Sequence, residues 1–141
     1  MEKKKIAAKS DDREYLKAKE KYDAIKQRDR GIGFDIDLEL FRKFYGKDAD
    51  DRQCYYCKIK ESQIKKLFAS NKIFTRRKNN YYNSMGIDRI DPNKSYAYRG
   101  DKKNLALCCF WCNSAKMDEF TEAEFLPIAA AIRKALEGRL G

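Results

Sequence analysis

Two cysteine pairs, Cys54-Tyr-Tyr-Cys57 and Cys109-Phe-Trp-Cys112, limit what this 141-residue chain can fold into more than any other feature. Thiolates spaced Cys-x2-Cys share one tight knuckle, and two knuckles together make a tetrahedral four-sulfur zinc site. Such a site forces residues 54–57 against residues 109–112, and its binding free energy becomes folding free energy. The spacing predicts one structural zinc on Cys54, Cys57, Cys109 and Cys112. The fifth cysteine, Cys108, reads as a buried strand residue, with a Cys108/Cys112 pairing left open. A chain of this length suits one domain with a modest core, the size at which a metal commonly supplements hydrophobic burial.

The second constraint is an absence: the chain contains no histidine. The third is charge. The net of +10 is unevenly spread, with +4 in residues 1–30 and +7 in residues 58–80. Localised positive charge is the footprint of a polyanionic partner, or else a solvated lysine-rich face. No run is long and apolar enough to span a membrane. The charged start, Met1-Glu2-Lys3-Lys4-Lys5, lacks the apolar core of a secretory leader, so the expected compartment is the cytoplasm, with thiols reduced unless bound to metal.

Residues 1–11 read as a basic tail and residues 12–141 as one domain. Ser10 is a plausible helix cap, followed by Tyr15, Ala18, Tyr22 and Ile25 at helical spacing. Asp37 caps a second, short helix with Leu38, Phe41, Phe44 and Tyr45 inward, ended by Gly46. Residues 63–68 suggest a further short helix. Met85–Ile90 alternates as a strand, Asp91-Pro92-Asn93 breaks it, and Asn104–Leu107 returns. Phe110–Met117 then carries the second knuckle on a short helix. Thr121-Glu122-Ala123-Glu124 is a capping box for a last helix with Phe125, Ile128, Ile132 and Leu136 inward, although Pro127 offers a later start.

Strand, long loop, strand and short helix, with Asp88 ending the first strand, form the pattern that resembles a known family. Gly86-Ile87-Asp88-Arg89-Ile90-Asp91, Asn104-Leu105-Ala106-Leu107-Cys108-Cys109 and Cys112-Asn113-Ser114-Ala115-Lys116 are similar to an HNH endonuclease domain. They look particularly like phage and bacterial HNH-like proteins with an Ile-Asp-Arg-Ile-Asp core. Gly33-Phe34-Asp35-Ile36-Asp37 and Phe41 extend the resemblance, which covers roughly residues 12–126. It implies an α+β fold, with a ββα-metal core at about residues 85–117 beside the four-cysteine zinc site. N-terminal helices and a C-terminal helix flank that core. It also implies a cytoplasmic setting in a bacterium or a phage-infected host.

The resemblance further implies site roles. Asp88 takes the metal-binding acid position and Asn113 the helix position that ligates the catalytic Mg²⁺ or Mn²⁺. Asn104 takes the loop-bracing position. Arg89 stands where the family has its general-base histidine, and a guanidinium keeps its proton at neutral pH. Arg89 therefore reads as a phosphate clamp, with Tyr96, Tyr98 or Asp91 as substitute bases. Each residue also has a plainer reading: Asp88 in an ion pair, Asn104 bracing loop backbone, Asn113 at a helix start, and Tyr81, Tyr82, Tyr96 and Tyr98 covering the hairpin. The nucleic-acid surface is expected at Lys58, Lys60, Lys65, Lys66, Arg76, Arg77, Lys78, Arg89, Arg99 and Lys116. The leading functional reading is metal-dependent hydrolysis of DNA phosphodiester bonds. Its alternatives are a catalytically inactive zinc module that binds nucleic acid, and a zinc-stabilised protein-interaction domain.

Overall fold

The computed structural model describes residues 2–28, 34–74, 83–98 and 103–141, with side chains in the first segment from residue 13 onward. Among the described residues, five helices and a two-stranded sheet follow in the order α1 (Glu2–Arg28), α2 (Leu38–Tyr45), α3 (Glu61–Ala69), β1 (Gly86–Asp88), β2 (Ala106–Cys108), α4 (Phe110–Lys116) and α5 (Glu122–Leu140). No described helix is long and apolar enough to cross a membrane.

α1 starts at Glu2, so the expected cap at Ser10 lies inside the helix and residues 2–11 are helical. Alanine and lysine are good helix formers, and nothing in that stretch breaks the run. Its apolar stripe is the expected one: Ala18, Tyr22 and Ile25 are buried. Tyr22 donates its hydroxyl to the Ile36 carbonyl at 2.8 Å and packs on Phe41, with ring centroids 5.7 Å apart. α2 begins at Asp37, whose carboxylate accepts the Leu40 N–H at 2.7 Å. It ends at Gly46, where φ is +88° and a Cβ would sit 2.7 Å from the Asp51 carboxylate. Only glycine meets both conditions without strain.

β1 and β2 pair antiparallel, with Gly86 opposite Cys108, Ile87 opposite Leu107 and Asp88 opposite Ala106. α4 follows β2 directly, completing the ββα unit. The Thr121 capping box starts α5, with the Thr121 hydroxyl accepting the Glu124 N–H at 3.2 Å and the Glu124 carboxylate accepting the Thr121 N–H at 3.0 Å. Pro127 therefore lies inside the helix and does not begin it. α5 buries Phe125, Ala129 and Leu136.

A buried ion network joins elements that share no sequence pattern. Arg52 and Glu61 are both fully buried. Arg52 donates from Nε and Nη2 to Glu61 Oε2 at 2.9 and 2.6 Å, and from Nη1 to Glu14 on α1 at 3.0 Å. The other Glu61 oxygen accepts the Met85 N–H at 2.7 Å, at the entrance to β1. The Arg52 guanidinium also covers the Tyr45 ring, 4.4 Å from its centroid. Burying these charges is tolerable only because each is paired and hydrogen-bonded.

Candidate active site and metal centre

The first knuckle is a backbone turn before it is a metal site. The Cys54 N–H bonds to the Ile59 carbonyl at 2.8 Å, and the Lys58 N–H to the Cys54 carbonyl at 3.0 Å. Lys58 adopts φ +68° to close the turn. The Tyr55 N–H reaches across to the Leu107 carbonyl at 2.8 Å, fastening the knuckle to β2. In the second knuckle the Cys112 N–H points at Cys109 Sγ at 3.5 Å, so that the cysteine itself caps α4.

The four sulfurs of Cys54, Cys57, Cys109 and Cys112 lie within 4.8 Å of one another and are buried. Cys57 and Cys109 are 3.6 Å apart, short of any disulfide, and all five cysteines are free. A tetrahedron of Zn–S bonds of about 2.3 Å has edges of about 3.8 Å, so the cluster fits a zinc ion. Hydrogen bonds from Cys108 first, then from Cys109, Cys112 and Cys57, hold the Cys54 thiol far below its ordinary value. Cys108 is pushed up by its bond to Cys54 and by burial. Four thiols this close shed all their protons only around a cation. Cys108 lies on β2, outside the four, with its thiol on the Cys109 carbonyl at 3.4 Å.

Asp88, at the end of β1, is buried and already partnered. Tyr56 donates its hydroxyl to Asp88 Oδ2 at 2.6 Å, and the Lys116 ammonium lies 3.1 Å from the same oxygen. Burial, then the Asp88 hydrogen bond, raises the Tyr56 pKa well above that of an ordinary phenol. Lys116 also donates to the Arg89 carbonyl at 3.1 Å. The sequence assigns Lys116 to the nucleic-acid surface, and the structure corrects this, for the residue is fully buried against Asp88. The cause is helical geometry: Lys116 follows Cys112 by four positions and so shares its inward face.

Arg89 points elsewhere. Its guanidinium lies over the Tyr96 ring, 5.5 Å from the centroid, and it has no carboxylate partner among the described residues. Tyr98 packs edge-on to Phe44 at 5.1 Å and under Lys103 at 4.9 Å. Asp91 accepts the Asn93 N–H at 3.0 Å and lies 3.8 Å from the Lys94 ammonium. Thus Tyr98 and Asp91, read as substitute bases, make their polar and ring contacts away from Asp88. Tyr56, which the sequence reading passed over, is the phenol that touches it.

Asn104 is buried and spends its whole side chain on the loop. Its Oδ1 accepts the Asp91 N–H at 2.6 Å, and its Nδ2 donates to the carbonyls of Asp91, Lys94 and Ser95 at 3.0–3.1 Å. Asn113 is exposed and opens onto a groove of about 210 Å³ between α1 and β1, which α1 lines with Glu20, Lys21 and Arg28. One carboxylate and one amide are hard oxygen donors, a set that suits Mg²⁺ or Mn²⁺ when substrate and water complete the shell. Of the proposed nucleic-acid lysines, Lys58, Lys60 and Lys66 are exposed. Lys58 folds back on the Tyr55 ring, 5.0 Å from its centroid, and Lys65 is half-buried with its pKa lowered, mainly by that burial. Arg76, Arg77, Lys78, Arg99, Tyr81 and Tyr82 lie outside the described residues.

No protein-family model matches the chain, and no curated protein matches it in sequence. A solved structure does. The chain is similar to the rare-cutting HNH restriction endonuclease PacI, with a TM-score of 0.69 and 25% identity over 87% of this chain and 81% of that one. The fold is HNH-like. That structure was reported for its mechanism of DNA perturbation.

Proposed function

We propose that this protein is an HNH-like endonuclease that hydrolyses DNA phosphodiester bonds with a divalent metal. The observation that carries the reading is the likeness to PacI, an HNH restriction endonuclease, across most of both chains. The site supports it: Asp88 and Asn113 stand at the strand end and on the helix of the ββα unit. A Mg²⁺ or Mn²⁺ ion held by that pair would stabilise charge on the phosphate and acidify the attacking water. Zinc on the four cysteines has a separate, structural role.

This chain's own residues supply the rest. Tyr56 and Lys116 fix the Asp88 carboxylate by one oxygen, leaving Oδ1 for a cation. Arg89, braced on Tyr96, presents a planar fork of donors suited to the scissile phosphate. Tyr56 keeps its proton against Asp88 in the free protein, and it is the group placed to exchange a proton there. Loss of a general acid or base costs about 10²–10⁴-fold in rate, so Tyr56→Phe should lower cleavage within that range.

Conversion of supercoiled plasmid to open-circle DNA with Mg²⁺, Mn²⁺ or EDTA tests the reading. The parent should nick only with a divalent ion. Arg89→His should lower nicking if Arg89 serves on the phosphate, and raise it if the arginine merely displaced a base. DNA bound without nicking by both proteins, with every ion, would leave the inactive nucleic-acid-binding module standing.

A further inference from the structure

We infer that Lys116 makes divalent-metal binding at Asp88 and Asn113 depend on bound DNA phosphate, by cancelling the negative charge of Asp88, the one carboxylate of that pair. The inference rests on Asp88 and Asn113 being the metal-binding pair. Lys116 is held inside by three contacts: Asp88 Oδ2 at 3.1 Å, the Arg89 carbonyl at 3.1 Å, and the Tyr56 ring at 5.6 Å from its centroid. A lysine stem of this length ordinarily carries its ammonium out to water. Here it is fully buried, and Asp88 is its carboxylate partner.

Among the described residues, the polar partners of Asp88 are Tyr56 and Lys116, and both engage Oδ2. Oδ1 remains for a metal, but the charge of the carboxylate is already balanced. Asn113 adds a neutral amide, and the nearby Arg89 is cationic. The pair therefore offers a divalent ion a donor set with no net negative charge, and Glu20, on the groove beside Asn113, shares that groove with Lys21 and Arg28. Affinity of oxygen sites for such ions follows the charge of their ligands, and Mg²⁺ sites with few carboxylates draw on substrate phosphates. Repulsion between the Lys116 ammonium and a cation across one carboxylate is poorly screened where water is scarce. Phosphate oxygens of a DNA strand supply the missing charge, so ion and strand bind together and each tightens the other.

Mn²⁺ titration of zinc-loaded protein, followed by electron paramagnetic resonance with and without a short DNA duplex, tests this. The Asp88→Ala protein on the same duplex subtracts ions held by the DNA alone. The parent should bind Mn²⁺ at least about tenfold more tightly when the duplex is present, within the usual range of coupling. Lys116→Gln keeps a hydrogen-bond donor and removes the charge. Without DNA it should bind Mn²⁺ at least about tenfold more tightly than the parent, with a smaller gain from the duplex. Equal Mn²⁺ affinity with and without duplex in the parent overturns the inference, even if the variant fails to fold. Weaker Mn²⁺ binding by Lys116→Gln overturns it too, and makes Lys116 an orienting prop for Asp88. If the parent binds no Mn²⁺ in either condition while keeping its zinc, the metal assignment itself falls.

Discussion

Glutamine at Glu61 would keep the shape of that side chain and delete its charge at the centre of the ion network. Glu61 accepts two bonds from Arg52, at 2.9 and 2.6 Å, and one from the Met85 N–H at 2.7 Å. Without the carboxylate, the fully buried Arg52 keeps Glu14 alone, a residue on the far side of the network at 3.0 Å. Removing one partner of a buried pair leaves an uncompensated charge and costs about 3–5 kcal/mol. Single domains are stable by only about 5–15 kcal/mol in total. With a urea slope of about 1–3 kcal/mol per molar, the unfolding midpoint should fall by at least about 1 M. Burial opposes ionisation of Glu61, but Arg52 and the Met85 N–H outweigh it and hold the pKa below the ordinary 4.5. A depressed carboxylate contributes stability that is fully present above its unfolded value and is lost as pH falls through its folded value. The gap between parent and Glu61→Gln should therefore be widest at neutral pH and narrow below about pH 4.5. Urea titrations of both zinc-loaded proteins, followed by Trp111 fluorescence, measure it. The Arg52→Met/Glu61→Leu double variant should recover most of the loss. A Glu61→Gln midpoint within about 0.3 M of the parent at neutral pH would show that the network carries no such energy.

The thiol cluster gives a second expectation: elemental analysis should find about one zinc per chain in the parent and in Cys108→Ser, and none in an unfolded Cys54→Ser. Asn104→Ala strands the Asp91 N–H and three loop carbonyls, and should cost about 1–3 kcal/mol by chemical denaturation without displacing zinc. DNA affinity should fall steeply between low and physiological salt, and Lys60→Glu/Lys66→Glu should weaken it and flatten that slope in a fluorescence-anisotropy titration.

The parts legible in the sequence were those set by short spacings. Cys-x2-Cys spacing named the four sulfurs now found within 4.8 Å, and the Asp37 and Thr121 caps marked where α2 and α5 begin. The start of α1 was misread because a serine that caps so often can also sit inside a helix. The Arg52 network was invisible because its members, at positions 14, 52, 61 and 85, follow no period and meet only in the fold. Lys116 did carry a signal, since it follows the inward-facing Cys112 by four positions on one helix. Tyr56 carried none: it differs from its neighbour Tyr55 only in which way the knuckle turns it. Tyr55 reaches out to Glu122 at 2.6 Å, while Tyr56 reaches in to Asp88 at the same distance.

Asp88 ends β1, where the proposed function makes it the metal-binding carboxylate of a DNA-cleaving site. Single-turnover cleavage of plasmid DNA by the parent and by Asp88→Ala, with zinc content and melting temperature matched, tests it most directly. The parent should cleave with Mg²⁺ or Mn²⁺, and Asp88→Ala should show nothing above background. Cleavage by Asp88→Ala at the parental rate, with the same ion dependence, would contradict it.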